Sequence, residues 1–278
     1  MRVVRYLQDR NSRYVLTYLL TVISYLLTVI NKIPGVNVVP TRTLVLSPAY
    51  RMLLPIINRL GFNIILSRGD GSSLSQVLTP HKAAEIWIDV GAHIGDSTLQ
   101  TASLNSERLV YAFEPNIKTI AYASGLLGNY IVIPMAVTER DGFVTLHINN
   151  QSETSSTLPL NEEGLKRWRS KKPIREESEI ICPTIRLDTF MHLMDISSIE
   201  FLKIDAQGAD LSVVRSAGER LKDIKEILLE VQVSDIPVYQ GASTKDSVLE
   251  FMRDNGFALV DKTSQSFGQE EDLRFKRD

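Results

Sequence analysis

Cysteine is nearly absent from this 278-residue chain, in which Cys182 is the single example. One cysteine excludes an internal disulfide framework and fits a reducing compartment. Histidine is also scarce, and His81, His93, His147 and His192 show no metal-ligand spacing with cysteine or with one another. We therefore expect no metal centre in this protein.

The chain also lacks an excess of charge of either sign. It carries 31 basic and 33 acidic residues, for a formal net charge of −2. Proteins that bind nucleic acid usually carry a basic excess, so nucleic acid is not an expected partner. The length allows one domain of about 190 residues with an amino-terminal extension, or two small domains.

Charged residues are missing altogether from residues 14–30, where two near-identical heptads begin at Tyr18 and Tyr25. On a helical projection the hydroxyl-bearing residues lie on one side and the leucine, valine and isoleucine residues on the other. Three interpretations stay open: a helix packed on the protein's own core, a helix lying in a membrane surface, or an oligomer interface. We expect residues 1–80 to form a hydrophobic helical extension.

The same segment bears on the cellular location. No small-residue cleavage site follows residue 30, which argues against a cleaved signal peptide. A helix of 17 residues would be about 25 Å long, at the short limit for crossing a bilayer. We expect a cytoplasmic protein and leave open an association with the inner face of the membrane through residues 14–30.

The glycine pattern of dinucleotide sites, G-x-G-x-x-G, is missing too. Residues 86–90 are apolar and β-branched, as in a buried strand, and the next residues read Gly91-x-x-x-Gly95. The apolar spacing predicts a helix from 96 to 104. A strand, a glycine turn and a helix present a nucleotide-sized ligand at the carboxyl edge of a parallel sheet.

An acidic residue follows the glycine turn by about 20 positions. Glu114 comes directly after a second apolar run at 109–113, where a carboxylate suits the two hydroxyls of a ribose. Because the turn lacks phosphate-cradling glycines, the pattern favours a nucleoside without pyrophosphate. S-adenosylmethionine is the common ligand of that description.

Strand-like and helix-like segments alternate through the rest of the chain, which predicts an α/β protein with a mostly parallel seven-stranded sheet and helices on both faces. Residues 116–127 are predicted to be helical, and residues 142–148 to form an added antiparallel strand. The remaining strands are predicted at 130–134, 180–187, 201–205, 226–233, 257–260 and 273–276.

Several short motifs, in order, resemble the FkbM family of S-adenosylmethionine-dependent methyltransferases. They are Asp89-Val-Gly-Ala-His-Ile-Gly95, Phe113-Glu-Pro115, Ser155-Ser156, Leu187-Asp-Thr189, Leu202-Lys-Ile-Asp-Ala-Gln-Gly-Ala-Asp210 and Leu229-Glu230. The resemblance covers roughly residues 80–262. It implies a Rossmann-like class I methyltransferase fold over residues 81–278 and methyl transfer, commonly to a hydroxyl of a sugar or natural product.

The resemblance also implies the site. The cofactor would be bound by Asp89, Gly91, Ala92, His93, Gly95, Glu114, Pro115, Met135, Ala136 and Asp205. The candidates on the acceptor side are Ser155, Ser156, Gln207, Gln232 and Tyr239.

Two positions depart from the family pattern. Gln207 stands where an acidic residue is usual, and His93 stands where asparagine is usual. A glutamine can accept and donate hydrogen bonds but cannot act as a base. Asp205 could contact the methionine amino group, orient the acceptor or act as the catalytic base. His93 is the other candidate for the base, and it could instead cap the following helix.

Residues 149–180 are polar and irregular, and we expect an insertion or lid there. Within them, residues 166–172 read Lys-Arg-Trp-Arg-Ser-Lys-Lys. This run has two interpretations: a solvated helix end, or a patch for phosphate or anionic headgroups with Trp168 at an interface.

These features predict an O-methyltransferase whose acceptor is a carbohydrate, a glycolipid or a related small molecule. One alternative is a nucleoside-binding domain without catalysis, suggested by Gln207. A second is an NAD-dependent oxidoreductase, which the scarcity of glycines in the turn disfavours.

Overall fold

A computed structural model of the chain describes residues 78–170 and 172–277, together with three short strands nearer the amino terminus. The chain divides into two units, residues 1–75 and residues 76–278. In the first unit, β1 (Asn37–Val38) pairs antiparallel with β2 (Leu44–Val45), which pairs parallel with β3 (Ile64–Ile65). The helix predicted at 14–30 lies outside the described residues.

The second unit alternates strands with short helices. Its strands are β4 (Glu85–Val90), β5 (Arg108–Phe113), β6 (Tyr130–Ile133), β7 (Ala136–Val137), β8 (Gly142–Asn149), β9 (Glu176–Ile185), β10 (Phe201–Ile204), β11 (Glu226–Gln232), β12 (Phe257–Gln265) and β13 (Glu270–Arg277). Its α-helices are α1 (Leu99–Leu104), α2 (Ile117–Ile120), α3 (Glu162–Arg167), α4 (Leu187–Leu193), α5 (Asp210–Arg215) and α6 (Lys245–Asp254). Single 3₁₀ turns include Ser152–Thr154 and Ser266–Gly268.

Seven of these strands form the main sheet, in the order β12-β13-β11-β10-β4-β5-β6. The five strands from β11 to β6 are parallel, and β13 and β12 add an antiparallel edge. The predicted mostly parallel seven-stranded sheet is therefore confirmed. From β4 the chain continues to β5 and β6 on one side, and it later returns to β10 on the other side of β4. The strand order therefore reverses at β4, and open α/β sheets bind ligands at such a position.

Apolar side chains fill the centre of this sheet. Every residue of Leu109–Phe113 in β5 is at most 2% exposed, and Ile204 in β10 and Leu229 in β11 are equally buried. Strands with successive buried residues require cover on both faces, which is the usual situation in a parallel sheet. The core therefore holds the strand ends at a fixed edge.

Two predicted strands joined a different sheet from the main one. The segment predicted at 142–148 is β8, and it pairs antiparallel with β9, which contains most of the segment predicted at 180–187. β7 pairs with β9 on its other side, so the three strands form a separate small sheet in the order β7-β9-β8. This sheet places the polar segment that follows β8 beside the carboxyl edge of the main sheet.

Two helix boundaries differ from the prediction. α1 begins at Leu99 rather than at 96, because residues 91–98 form turns in which Gly95 donates to the Ala92 carbonyl. α2 ends at Ile120 rather than at 127. Beyond it the backbone makes bonds between residues three apart, as in a 3₁₀ helix, and Gly125 then adopts a positive φ of 71°.

Within the part of the chain that the structure describes, no helix has both the length and the apolar character needed to span a membrane.

Gly91 is required where β4 and β10 end side by side. Its φ is 75°, a left-handed conformation, and a Cβ there would lie 1.8 Å from the carbonyl oxygen of Asp205. Gly125 has a similar φ of 71° but open space around it. Comparison of substitutions at the two glycines therefore distinguishes the cost of a left-handed conformation from the cost of a steric overlap.

We expect Gly91→Ala to lower the free energy of unfolding far more than Gly125→Ala. The control should lose about 1–2 kcal/mol from left-handed strain. Gly91→Ala should lose at least a further ~1–3 kcal/mol, because the methyl group overlaps backbone atoms. Urea unfolding of both variants measures the difference, and equal losses would show that the strand ends are not closely packed at Gly91.

Candidate functional site

A cavity lies at the carboxyl edge of β4, β5 and β10. It encloses about 850 Å³ of space out to its open mouth, and both polar and apolar residues line it. The register aligns Ile204 with Val90 and Val90 with Phe113, so the residues that follow these three strands are neighbours. The cavity is therefore built by strand ends that the core fixes.

Most of the predicted cofactor residues line this cavity. They are Gly91, His93, Glu114, Pro115, Met135, Ala136 and Asp205. Of the predicted acceptor-side residues, Ser155, Ser156 and Gln207 line it as well. Asp89, Ala92 and Gly95 lie behind the wall, whereas Gln232 and Tyr239 line a second cavity next to the first.

Glu114 is held by two backbone donors. The His93 amide donates to its Oε2 at 3.1 Å, and the Asn116 amide donates to its Oε1 at 2.8 Å. Burial raises the pKa of Glu114 above its ordinary value, although the two amides act in the opposite direction. Each carboxylate oxygen keeps a lone pair, so the group is oriented to accept two further hydrogen bonds, as from the hydroxyls of a ribose.

His93 connects the glycine turn to the polar segment after β8. Its φ is 50°, and its Nε2 lies 2.9 Å from the Ser152 Oγ. Because α1 begins only at Leu99, with Thr98 as its N-cap, His93 does not cap that helix. The ring therefore helps to attach the 3₁₀ turn Ser152–Thr154 to the cavity rim.

Asp89 acts inside the protein rather than at the cavity surface. It is fully buried, its Oδ2 accepts from Thr98 Oγ1 at 2.5 Å, and its Oδ1 lies 3.2 Å from Lys203 Nζ. These contacts join the end of β4 to the turn before α1 and to β10. Asp89 therefore positions the glycine turn, although sequence reasoning placed it among the residues that touch the cofactor.

Sequence reasoning missed Lys203, which is nearly buried below the cavity. Its Nζ lies 3.8 Å from the Asp205 Oδ2, in addition to its contact with Asp89. Burial alone would lower the pKa of Lys203, but the two carboxylates outweigh burial and raise it. A lysine in an otherwise apolar strand, two residues before an aspartate, was the signal that could have found it.

Asp205 and Gln207 form the far wall of the cavity. Gln207 Nε2 donates to Asp205 Oδ1 at 2.7 Å and to Glu230 Oε2 at 3.2 Å. Its Oε1 lies 2.7 Å from the Tyr239 hydroxyl, which also lies 2.8 Å from the Thr154 carbonyl oxygen. Gln207 is thus tied to three side chains and fixes the orientation of the Asp205 carboxylate.

Glu230 was quoted as part of a motif but not chosen as a site residue. Burial, followed by the nearby charges of Asp205 and Glu270, raises the pKa of Glu230 well above its ordinary value. This environment therefore favours the protonated form of the carboxyl group. The sequence signal that could have identified Glu230 was a glutamate near the end of a predicted buried strand.

Asp210 shapes the loop between β10 and α5. It accepts from the Ala206 amide at 2.9 Å and from the Gly208 amide at 3.0 Å, and burial raises its pKa to about 7. Ser156 Oγ donates to the Gln207 carbonyl oxygen at 2.8 Å, and Ser155 Oγ accepts from the Asn149 amide. Both serines therefore help to hold the polar segment against this loop.

Comparison with known families matches residues 89–259 to the model described as "Methyltransferase FkbM domain". The chain is 23% identical over 182 residues to 2-O-methyltransferase NoeI of Sinorhizobium fredii (strain NBRC 101917 / NGR234), covering 62% of this chain and 72% of NoeI.

Similar folds are found among solved structures. Fibrillarin of Aeropyrum pernix with bound S-adenosyl-L-methionine matches with a TM-score of 0.40 and 12% identity, over 72% of this chain and 69% of fibrillarin. Magnesium protoporphyrin IX methyltransferase of Synechocystis PCC 6803 matches with a TM-score of 0.39 and 11% identity, over 83% of each chain.

We expect Lys203→Met to lower the free energy of unfolding by about 3–5 kcal/mol, because it leaves Asp89 buried without its cation. The control Lys225→Met removes an exposed ion pair with Glu200 and should cost no more than about 1 kcal/mol. Chemical unfolding of both variants gives the comparison. The double variant Lys203→Met with Asp89→Leu should recover most of the loss, and a loss that persists would contradict an electrostatic cause.

Proposed function

Because the chain belongs to the FkbM methyltransferase family, with S-adenosylmethionine as its cofactor, we propose that it methylates a hydroxyl of a carbohydrate, a glycolipid or a related natural product. The observation that carries this proposal is the Asp205 carboxylate, which lies in the cavity with its side chain 38% exposed and held by Gln207. A hydroxyl loses its proton when it is methylated on oxygen, so the site needs an acceptor for that proton. The name of NoeI, a 2-O-methyltransferase, supports oxygen as the atom that is methylated.

The residues present fit the cofactor. Glu114 is a half-buried carboxylate that backbone amides orient, and no cation among the described residues forms an ion pair with it. Such a group requires hydroxyl donors, which the ribose would provide. Met135 and Ala136 follow β6 on the other side of Glu114, where apolar side chains would contact the adenine.

When bound, S-adenosylmethionine supplies a methyl group on a positively charged sulfur atom. Asp205 would accept the hydroxyl proton at Oδ2, since Gln207 occupies Oδ1 and Lys203 Nζ is 3.8 Å from Oδ2, beyond hydrogen-bond distance. His93 is the weaker candidate for the base, because Ser152 already occupies its Nε2. Asp205 thus has the freer proton-accepting atom.

Residues 149–180 would act as a cover for this site. Ser152 contacts His93 and Ser156 contacts the Gln207 carbonyl oxygen, so the segment is attached on both sides of the cavity. Excluding water from the reacting atoms strengthens the electrostatic interactions within the site. The methyltransferase domain would then comprise residues 81–278 with this segment as its lid.

We expect Asp205→Asn to lower methyl transfer at least ~100-fold, because an amide cannot accept the hydroxyl proton. Transfer of isotopically labelled methyl groups to a panel of glycans, glycolipids and small polyols measures the activity. Binding of S-adenosylhomocysteine by calorimetry shows whether the folded site persists.

Asp261→Asn is the matched control, since Asp261 is exposed on β12 and lies outside the cavity. Near-normal turnover by a folded Asp205→Asn variant would overturn the role of Asp205. Labelling of nitrogen or carbon, or of no hydroxyl in the panel, would overturn the proposed function.

We also expect the affinity for S-adenosylhomocysteine to fall as the pH is lowered through the raised pKa of Glu114. The ionised carboxylate accepts hydrogen bonds from two hydroxyls, whereas the protonated form loses part of that capacity. The decline should therefore begin at a higher pH than for an ordinary glutamate.

Calorimetric titrations across a pH series provide the measurement for wild type and Glu114→Gln. The variant should bind more weakly at neutral pH and lose this pH dependence. An identical pH profile in both proteins would show that Glu114 does not hold the cofactor.

A further inference from the structure

A second cavity opens beside the cofactor cavity and has its own chemistry. Its volume is about 950 Å³ out to its mouth, and it shares Glu153, Asp205 and Gln207 with the first cavity. Asp205 is therefore accessible from both sides. A molecule in the second cavity would therefore reach the proposed base without entering the cofactor cavity.

Two aromatic side chains, Trp168 and Phe267, lie on the wall of this second cavity in addition to Tyr239. Trp168 is half-buried at the end of α3, and Phe267 is 67% exposed in the turn Ser266–Gly268. Ser266 and Phe267 both adopt positive φ values, 46° and 61°. Two consecutive non-glycine residues in this conformation are costly, and such strain is concentrated at functional sites.

Gln269 joins the two aromatic segments directly. The Arg169 amide donates to Gln269 Oε1 at 2.7 Å, and Gln269 Nε2 donates to the Arg169 carbonyl oxygen at 2.9 Å. The same Nε2 lies 2.8 Å from the Ser266 carbonyl oxygen. Reciprocal hydrogen bonds therefore hold the Trp168 and Phe267 segments together, although Arg169 and Gln269 are 100 residues apart in the chain.

The polar lining of the second cavity is acidic and rich in amides. Glu153, Asp205 and Glu270 contribute carboxyl groups, and Arg169 is the basic residue among the described lining residues. Burial raises the pKa of Glu270, and Asp205 and Asp272 add to this effect. The carboxylates of Glu153 and Asp205 repel phosphate and carboxylate groups, and the oxygen atoms of the lining suit donors of hydrogen bonds.

Amide and hydroxyl groups complete the lining. Gln151, Gln232 and Tyr239 line the same cavity as the aromatic rings of Trp168 and Phe267. A sugar ring offers the matching surface, because its hydroxyl groups bind carboxylates and amides while its C–H face packs on aromatic rings. Among the described basic residues of the run at 166–172, Arg169 lines this cavity, whose other charged lining residues are acidic.

We propose that the second cavity is the acceptor site and binds an uncharged or amine-bearing sugar ring against Trp168 and Phe267, with rejection of phosphorylated and carboxylated acceptors. This inference rests on the proposed function. Asp205 at the junction of the cavities would then take the proton of the hydroxyl that the ring presents.

Sugar binding to the full chain saturated with S-adenosylhomocysteine tests this proposal without requiring turnover. The probes are methyl α-D-glucopyranoside, D-glucosamine, D-glucose 6-phosphate and D-glucuronate, followed by ligand-observed NMR titration. We expect the two anionic sugars to bind at least ~10-fold more weakly than the other two, as like-charge contact predicts. Equal affinities, or no saturable binding of the first two probes, would overturn the proposal.

Substitutions locate the site. Phe267→Ala should weaken binding of the neutral sugar about five-fold, the value of one aromatic contact, without changing the affinity for S-adenosylhomocysteine. The matched control Phe143→Ala removes a phenylalanine that is 77% exposed on β8, outside both cavities, and should change neither. Unchanged sugar affinity in Phe267→Ala would overturn the proposal.

Charge selectivity has its own pair of variants. Glu153→Gln should reduce the difference in affinity between glucose 6-phosphate and the neutral sugar. Glu163 is an exposed glutamate on α3, and Glu163→Gln should leave that difference unchanged. A difference that Glu153→Gln leaves intact would overturn the assignment of selectivity to the acidic lining.

Failure of this proposal can be distinguished from failure of the proposed function. Sugar binding that depends on Phe267, but with no methyl transfer to oxygen in any acceptor, would contradict the proposed function and leave the cavity as a sugar site. If an acceptor hydroxyl is methylated and Phe267→Ala does not change the KM for that acceptor, the second cavity is not the acceptor site. The proposed function would then remain intact.

Discussion

The buried ion pair between Lys203 and Asp89 is the interaction on which the site depends. It joins β10 to β4 at the point where the main sheet reverses its strand order, and it brings a positive charge to within 3.8 Å of Asp205. A buried pair is expensive to assemble and still more expensive to break, so its geometry tolerates little movement. The glycine turn and the proposed base are therefore positioned by one lysine.

Around that pair, the chain uses backbone atoms where side chains would not fit. Gly91 allows β4 to end against the backbone of Asp205, and backbone amides orient the carboxylate of Glu114. The acidic groups of the site differ in how deeply they are buried. Burial beside other carboxyl groups raises the pKa of Glu230, whereas Asp205 lines both cavities.

The sequence predicted the strands of the main sheet and the place of Glu114 at the end of β5, because apolar runs and strand-end acids are local patterns. It did not predict that β8 and β9 form a separate sheet, since pairing partners are set by tertiary contacts. It also assigned Asp89 to the cofactor, because a strand-end aspartate looks alike whether it faces a ligand or Lys203. The second cavity was hidden because Trp168 and Phe267 are far apart in the chain.

The reciprocal hydrogen bonds of Gln269 make the two aromatic segments a single mechanical unit. A change in length or composition of either segment would cut bonds that hold the other. A change of acceptor preference in this protein would accordingly require that both segments be exchanged together. Replacement of one loop alone would disrupt the wall of the cavity instead of reshaping it.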